Sequence, residues 1–346
     1  MASLNIVRLL LCGMGNVHRS FLRILESNGD VLRDRHGVQF IVVGATDSGG
    51  AVFDDGGLDA QMILQAKAAG RSVATLPGGR VGLGGAALLD EVRADMLLEA
   101  TTVSLRDGQP GLDAVRAALR RGLPVVLANK GPLALAYPEL DALARARGVG
   151  LRFSACVGGA LPTINIGVRD LAGARVTRVE AMVNGTCQGI LRLMETGRTF
   201  AQALAEMQSR GIVEADPSLD IDGWDAAAKL TIIANAVLRR PTTIADVQVT
   251  GIRSITLDDL RAADARGERI VLLGIAEPAA ADWSLRVAPV SVPRTHPMAR
   301  LSGDEMGVVY HTDISGVISA AILETDAMPT AAAMLRDVLA QVNPAS

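Results

Sequence analysis

The stretch NIVRLLLCGMGNVHRSFLRILES, residues 5–27, decides the fold. Residues 5–12 form an apolar run interrupted only by Arg8, long enough for a buried strand. A glycine turn, Gly13-Met14-Gly15-Asn16, follows directly. Beyond it the period changes: Val17, Phe21, Ile24 and Leu25 share one helix face. Strand, GxGxx turn and helix, in that order, are the context the dinucleotide fingerprint requires. The first glycine makes the turn. The second lets a pyrophosphate approach, and the helix N-terminus supplies N–H donors. Gly13, Gly15, Asn16 and Val17 are therefore the expected cofactor-binding residues, with a plain tight turn as the alternative. His18 stands where the fingerprint has its third glycine. That glycine serves close helix–strand packing, so its loss weakens the motif and leaves the anion site standing.

Outward from this stretch, strands and helices alternate. QFIVVGATD, ADMLLEAT and PVVLAN read as strands, and GLDAVRAALRRG and PLALAYPELDALARARG as helices. The strands are apolar throughout, as buried parallel strands must be. The fold class is α/β, a doubly wound parallel Rossmann-type sheet. Ligands of such sheets sit at strand C-terminal ends, where Asp47, Thr101 and Asn129 are the expected cofactor contacts. A carboxylate at Asp47 accepts from a ribose 2′-hydroxyl and favours NAD, although a solvated strand end has the same signature. RVGLGGAA, residues 80–87, imitates a second glycine motif but follows no apolar strand, and reads as loop.

After LRFSACVGG the chain mixes helices (TFAQALAEMQSRG, WDAAAKLTIIANAVL) with strands (ARVTRVEAMVNG, ERIVLLGIAE, WSLRVAPVSV). This is a second, α+β catalytic and dimerisation domain, whose sheet is expected to support a homodimer. The tail, GVVYHTDISGVISAAILE and PTAAAMLRDVLAQV, is expected to return to the first domain. The boundaries are thus 1–155 plus 305–346 for the dinucleotide-binding domain and 156–304 for the second. A length of 346 residues favours two domains. Net charge of -3 and 3% aromatic content argue against a nucleic-acid surface. No apolar run reaches the roughly 18 residues of a membrane span, and the N-terminus reads as a strand, not a signal peptide. Three cysteines without metal-ligand spacing indicate a reducing, cytoplasmic protein without disulfides. Four histidines with no recognisable pairing argue against a zinc site or a cysteine nucleophile.

The most distinctive stretch is EADPSLDIDGWDAAAK, residues 214–229, with five carboxylates and one lysine ahead of the apolar helix LTIIANAVL. Asp225 and Lys229 are four apart and share a helix face; alone they would read as a surface pair. Taken with LANKGPLAL, VGGALP and VNGT, the stretch resembles the homoserine dehydrogenase family. The family's long motif is carried here by Glu214, Asp216, Pro217, Gly223, Asp225 and Lys229. The resemblance runs from the glycine turn to the final helix.

The resemblance implies an NAD- or NADP-dependent oxidoreductase that interconverts L-homoserine and L-aspartate 4-semialdehyde, in threonine and methionine biosynthesis. It implies Lys130 and Lys229 as the catalytic lysines. Glu214, Asp220 and Asp225 then hold an amino-acid substrate whose ammonium needs carboxylates, and Gly185 and Thr186 of the NGT turn complete its site. It also implies a monovalent cation, Na or K, on the backbone carbonyls of Ser154, Val157, Gly159 and Leu161; a flexible hinge is the alternative. A proton must move as the hydride moves, and a lysine serves that transfer in either direction.

The chain departs from the family pattern at His18, at Ser154 in place of Glu, at Cys187-Gln188-Gly189 in place of Thr-Asn-Tyr, and at the glycine-free AILETDAMPTAA. The altered 187–189 segment is expected to reshape the pocket wall. That leaves room for a relative acting on another amino-acid aldehyde, or for a non-catalytic nucleotide sensor. The chain stops soon after PTAAAMLRDVL, so no feedback through a C-terminal regulatory domain is expected.

Overall fold

The computed structural model describes residues 4–209, 216–280 and 282–343. The chain divides into two compact units, Met1–Ala160 with Asp326–Ser346, and Leu161–Thr325.

The first unit is built on strands β1 (Asn5–Cys12), β2 (Val38–Asp47), β3 (Gly50–Phe53), β4 (Arg80–Val81), β5 (Met96–Glu99), β6 (Val125–Leu127) and β7 (Leu151–Arg152). They form one sheet in the order β4-β3-β2-β1-β5-β6-β7. The five strands β2, β1, β5, β6 and β7 are parallel; β3 and β4 add antiparallel to the β2 edge. Leu9, Leu10 and Leu11 are all fully buried because both faces of β1 are covered. Leu9 and Leu11 join the core formed with helix α1 (Asn16–Ser27) and the C-terminal helix Met328–Val342, through Phe21, Leu22, Met334 and Val338. Leu10 turns to the other face, where it meets Leu88 and Val92 around Gly44. Strand order reverses at β1, which makes the ends of β1 and β5 the switch point where ligands bind in such sheets.

Further helices of this unit include α2 (Ala60–Ala68), α3 (Gly111–Arg120) and α4 (Gly131–Arg147). α4, read from sequence as one helix, kinks at Ala136. Pro138 lacks an N–H and crowds the preceding turn. The segment 80–87 is not merely loop: Arg80–Val81 pairs with β3, and Gly85–Leu88 is a helical turn.

The second unit has a six-stranded sheet of order β13-β12-β8-β10-β11-β9. Its strands are β8 (Val176–Met182), β9 (Gln248–Val249), β10 (Glu268–Pro278), β11 (Trp283–Pro293), β12 (Glu305–Thr312) and β13 (Val317–Leu323). Helix α5 (Gly185–Glu195) follows β8, and α6 (Trp224–Ala236) packs Leu230 against Gly274 of β10. Residues 305–325 differ from the expected return. β12 pairs with β8 and β13 with β12, so only the last helix rejoins the first unit. The two strands extend an existing antiparallel ladder, a partner that local pattern cannot reveal.

Arg239, just past α6, takes a left-handed backbone, φ 54. It closes a helix-terminating turn in which the Arg240 N–H donates to the Ala234 carbonyl at 3.0 Å. Glycine is the usual residue there, because a side chain in this conformation costs about 1 kcal/mol. Arg239→Gly should therefore stabilise the protein by up to about 1 kcal/mol, part of the gain being offset by glycine's greater unfolded-state freedom. Thermal unfolding followed by circular dichroism measures the change; a lower melting temperature would contradict this account.

Candidate active site

Four of the seven expected cofactor residues of the first unit lie around one cavity of about 480 Å³; Asn16, Val17 and Asn129 are not in its wall. Gly13, Gly15, Asp47 and Thr101 line it. Gly13 has φ +89, and a Cβ there would lie 2.6 Å from the Ala100 carbonyl oxygen, so only glycine fits. Nothing stands within 4 Å of a Cβ position on Gly15, which leaves its backbone open to an approaching group. Asn16 and Val17 begin α1, whose first-turn N–H groups receive no side-chain cap. That cradle suits a pyrophosphate. The segment 82–85, expected to be loop away from the motif, supplies another wall of the same cavity through Gly82, Gly84 and Gly85. A Cβ on Gly85 would meet the Cys12 sulfur at 2.4 Å, so this glycine lets the segment close onto β1.

His18 has its own account. It is fully buried, and its Nδ1 lies 2.8 Å from the Gly13 carbonyl. The carbonyl can only accept, so Nδ1 carries the proton. Burial drives the imidazole down to about pKa 4 against the pull of that carbonyl, so the ring is neutral at physiological pH. The residue that replaced the third glycine thus pins the turn that the first glycine makes.

Asp47 differs from the open ribose acceptor expected. One carboxylate oxygen takes the Gly49 N–H at 2.9 Å and the Ser72 hydroxyl at 2.6 Å. The other takes the Lys67 ammonium at 2.6 Å and the Val73 N–H at 2.9 Å. Four donors fill the acceptor capacity of a carboxylate. Burial alone would raise its pKa, but Lys67, Ser72 and the two N–H groups together hold it below the usual carboxylate range. Asp47 therefore organises the turn around residues 47–73, and Lys67 of α2, which sequence reading missed, brings an ammonium to the cavity wall. The signal for it was a lysine near the end of a helix twenty positions after the strand-end acid.

Thr101 and Asn129 join a third residue that was missed. Glu99, the last residue of β5, is fully buried. Its Oε1 accepts the Thr101 N–H at 2.9 Å and the Thr101 hydroxyl. The Asn129 side-chain amide donates to the Thr101 hydroxyl at 3.2 Å, and its oxygen accepts the Gly131 N–H at 2.9 Å. Lys130, half-buried, lies between those bonded neighbours at the start of α4.

In the second unit, the VNGT turn meets Asp220, Asp225 and Lys229 of the motif. Asn184 donates through Nδ2 to Asp220 at 2.7 Å and to Asp225 at 2.8 Å. Its oxygen accepts the Cys187 N–H at 2.8 Å and so caps α5. Lys229 donates to Asp225 at 2.8 Å and to the Val183 carbonyl at 2.5 Å. Asp225 and Lys229 are therefore no surface pair: their side chains are only 10% and 14% exposed. Burial first, and then the Asp225 charge, raise the Asp220 carboxyl, with Asn184, Lys229 and Thr186 opposing. Gly185 and Thr186 form the first turn of α5. Asn184 was passed over as part of a short motif; an Asn just before a helix is a cap signal. Glu214 lies outside the described residues.

The segment of the expected cation site carries other partners. The Ser154 carbonyl accepts the Val157 N–H at 3.3 Å. Ser154 itself gives its N–H and hydroxyl to the buried Asp337 carboxylate at 2.7 and 2.8 Å. The Arg336 guanidinium stands 3.1 Å from the Ser154 hydroxyl and 3.5 Å from the Ala160 carbonyl. Val157 and Gly159 lie in a turn where Gly158 and Gly159 take positive φ. In the second unit, the Leu161 carbonyl accepts the Thr163 N–H at 2.7 Å. Carbonyl oxygens suit a hard cation, but here a fixed guanidinium already brings positive charge.

The 187–189 departures do not form a pocket wall as expected. Cys187 and Gln188 are buried; the Gln188 amide donates to the Leu272 carbonyl at 3.1 Å. A Cβ on Gly189 would meet Met207 at 2.4 Å. These residues face the interior of their unit because a helix following β8 turns that side to the sheet. Cys187 reaches a site residue through its side chain, its thiol donating to the Asp220 carbonyl at 3.1 Å. Burial holds that thiol well above its ordinary value, so it is no nucleophile.

Comparison with known proteins is consistent across the chain. The homoserine dehydrogenase family model matches residues 162–339. The NAD(+)-dependent homoserine dehydrogenase of Pseudomonas canavaninivorans is 34% identical, over 96% of this chain and 95% of that protein. The homoserine dehydrogenase of Methanocaldococcus jannaschii is 34% identical, over 96% and 97%. Among solved structures, a homoserine dehydrogenase from Thiobacillus denitrificans superposes with TM-score 0.84 at 30% identity, covering 98% of this chain and 74% of that one. A hyperthermophilic archaeal homoserine dehydrogenase in complex with NADPH gives TM-score 0.84 at 25% identity, covering 99% of each.

Asn184→Ala removes a helix cap and strips the buried Asp225 and the part-buried Asp220 of a donor. The expected loss is roughly 2–4 kcal/mol of stability, read from denaturant unfolding. For Asp47 the sign follows from its lowered pKa. Its ionised form contributes stability above the unfolded value near about 4, and this is lost as pH falls through the lower folded value. Asp47→Asn should therefore be less stable than wild type at neutral pH and lose less stability on acidification; parallel stability–pH curves would contradict it.

Proposed function

This chain belongs to the homoserine dehydrogenase family, and from that premise we propose that it interconverts L-homoserine and L-aspartate 4-semialdehyde with NAD or NADP. The observation that carries the reading is the cluster of Asn184, Asp220, Asp225 and Lys229, a buried ammonium held among oriented carboxylates. An amino-acid substrate brings an ammonium that needs such carboxylates, and a hydroxyl or aldehyde oxygen that needs a proton donor. When bound, the nicotinamide cofactor supplies or accepts the hydride.

The roles follow from donor counts. An ammonium has three N–H donors. Lys229 gives one to the Val183 carbonyl and one to Asp225. The third is assigned to the reacting oxygen. In reduction, that N–H donates to the alkoxide forming as the aldehyde carbon receives hydride; in oxidation, neutral lysine takes the hydroxyl proton. Asp225 holds the ammonium in place. Asp220 and Glu214 are assigned to the substrate ammonium, and Gly185 and Thr186 to the same substrate. Lys130 is the second cation of the chemistry. Gly13, Gly15, Asn16 and Val17 hold the pyrophosphate, with Thr101 and Asn129 beside it.

Because Asp47 is saturated with protein donors, it gives no argument for NAD over NADP. The steps assigned above pass through no monovalent cation. Of the altered 187–189 segment, Gln188 and Gly189 face the interior of their unit, and only the Cys187 side chain borders Asp220 among the described contacts. We extend the reading to a homodimer through the second unit's sheet, supported by Val317 and Leu323 of its edge strand, each 61% exposed. A reducing, cytoplasmic setting accords with three buried cysteines that form no disulfide among the described residues. No helix among the described residues is long and apolar enough to cross a membrane.

Absorbance at 340 nm, with L-homoserine and either NAD or NADP at alkaline pH, tests the reaction and ranks the cofactors. A flat trace with both, from protein that binds cofactor, would overturn the reading. Lys229→Ala should lower turnover on the order of 100-fold or more while cofactor affinity is kept. Full turnover in that variant would remove Lys229 from the proton transfer.

A further inference from the structure

The structure assigns the adenine end of the dinucleotide to the wall formed by Leu83, Gly84, Gly85, Pro110 and Ala114, with Gly84 as the residue whose missing side chain admits the ring. The assignment rests on the reading of the first unit as a dinucleotide-binding domain. The cavity runs from the glycine turn, at Gly13 and Gly15, to the end of β2, where Thr46, Asp47 and Ser48 line it together with Lys67. In sheets of this kind the end of the second strand stands beside the ribose of the adenosine half. The cavity therefore belongs to that half. Its lining divides by chemistry. Thr46, Asp47, Ser48 and Lys67 are polar, whereas Leu83, Gly84, Gly85, Pro110 and Ala114 carry no charge and no polar side-chain atom. A Cβ on Gly85 would lie 3.4 Å from the Ala114 Cβ, so segment 83–85 and α3 form one continuous surface. A flat ring with an apolar face suits such a wall.

The glycines of this segment have different causes. Gly82 has φ +73, where a side chain is strained. Gly85 is needed for the close approach to Cys12. Gly84 has neither reason. Its φ is -87, open to any residue, and nothing lies within 4 Å of a Cβ built on it. It precedes the helical turn Gly85–Leu88 without giving a side-chain cap, a place where Ser or Asp serves better. Glycine also loses more conformational freedom on folding than any other residue. The chain itself does not call for glycine here, so the requirement comes from something the chain binds. Among the described glycines, Gly15 and Gly185 share both properties, an ordinary φ and open space at the Cβ position. Gly15 is assigned to the pyrophosphate and Gly185 to the substrate. Gly84 is the third of the kind, and it lines the same cavity as Gly15.

Gly84→Leu tests the assignment, because it strains no backbone and its Cβ meets no protein atom. The melting temperature should be kept. AMP, which carries the adenosine half alone, is the probe, measured by titration calorimetry. Its affinity, and that of NADH by fluorescence, should fall on the order of 10-fold or more in Gly84→Leu. In turnover of L-homoserine, the KM for the cofactor should rise by a similar factor with kcat nearly kept. Unchanged AMP affinity in folded Gly84→Leu would overturn the assignment. So would a fall in kcat with the cofactor KM unmoved, since that places Gly84 at the reacting end. If Gly84→Leu fails to fold, Leu83→Ser removes the apolar contact instead and should weaken AMP on the order of 10-fold; wild-type affinity there would overturn it. Wild-type protein that binds AMP but turns over no homoserine sinks the functional reading, and the AMP comparison still decides this one. Wild-type protein that binds neither AMP nor NADH overturns both.

Discussion

The constraint on which the rest depends is the cost of taking ionised groups out of water. The second unit buries Asp225 and most of Lys229, and neither could stay charged there alone. Each is held by more than its ion pair. Lys229 also reaches the Val183 carbonyl, and Asp225 also takes the Asn184 amide. Asn184 is thereby a hub: it bonds two carboxylates and caps a helix with the same side chain. The position of β8 fixes Val183 and Asn184, the position of α6 fixes Asp225 and Lys229, and the charges hold the two together. The order of the site is a consequence of satisfying buried charge.

The first unit solves the same problem three times, with different outcomes. Asp47 is given four donors and its pKa falls. Asp337 takes two donors from Ser154, yet burial still raises it. Glu99 takes donors on one oxygen only and is raised to about 7. Donor supply against burial decides the direction in each case. It also decides the use: a saturated carboxylate such as Asp47 braces a turn.

Departures from the family pattern are absorbed by the same logic. His18 replaces a glycine but donates to the Gly13 carbonyl, so the turn is held by a side chain. Ser154 replaces a glutamate but binds Asp337 and meets Arg336, so the loop is tied to the C-terminal helix. Cys187, Gln188 and Gly189 change the interior of their unit. In none of these places does the altered residue remove a group assigned to the reaction.

The parallel sheet was legible in the sequence because its signals are local. A buried strand is apolar, a turn needs glycine, and an amphipathic helix has period 3.6; each acts within a dozen residues. Lys229 and Asp225 were legible for the same reason, since four residues of helix put them side by side. Residues 305–325 were not, because strand partners are chosen across long separations: β12 pairs with β8 more than 120 positions earlier, as Val309 opposite Glu180 illustrates. The full engagement of Asp47 was not either, because its donors come from Lys67, Ser72 and Val73 on other elements. Glu99 and Asn184 looked like ordinary strand-end residues until tertiary structure set their partners beside them. The sequence by itself determined the elements, the glycine turn and the lysine–carboxylate motif, whose causes are local. Only the tertiary structure decided which polar groups remain available for chemistry, because hydrogen-bond capacity is settled among residues that are near in space and far apart in the chain.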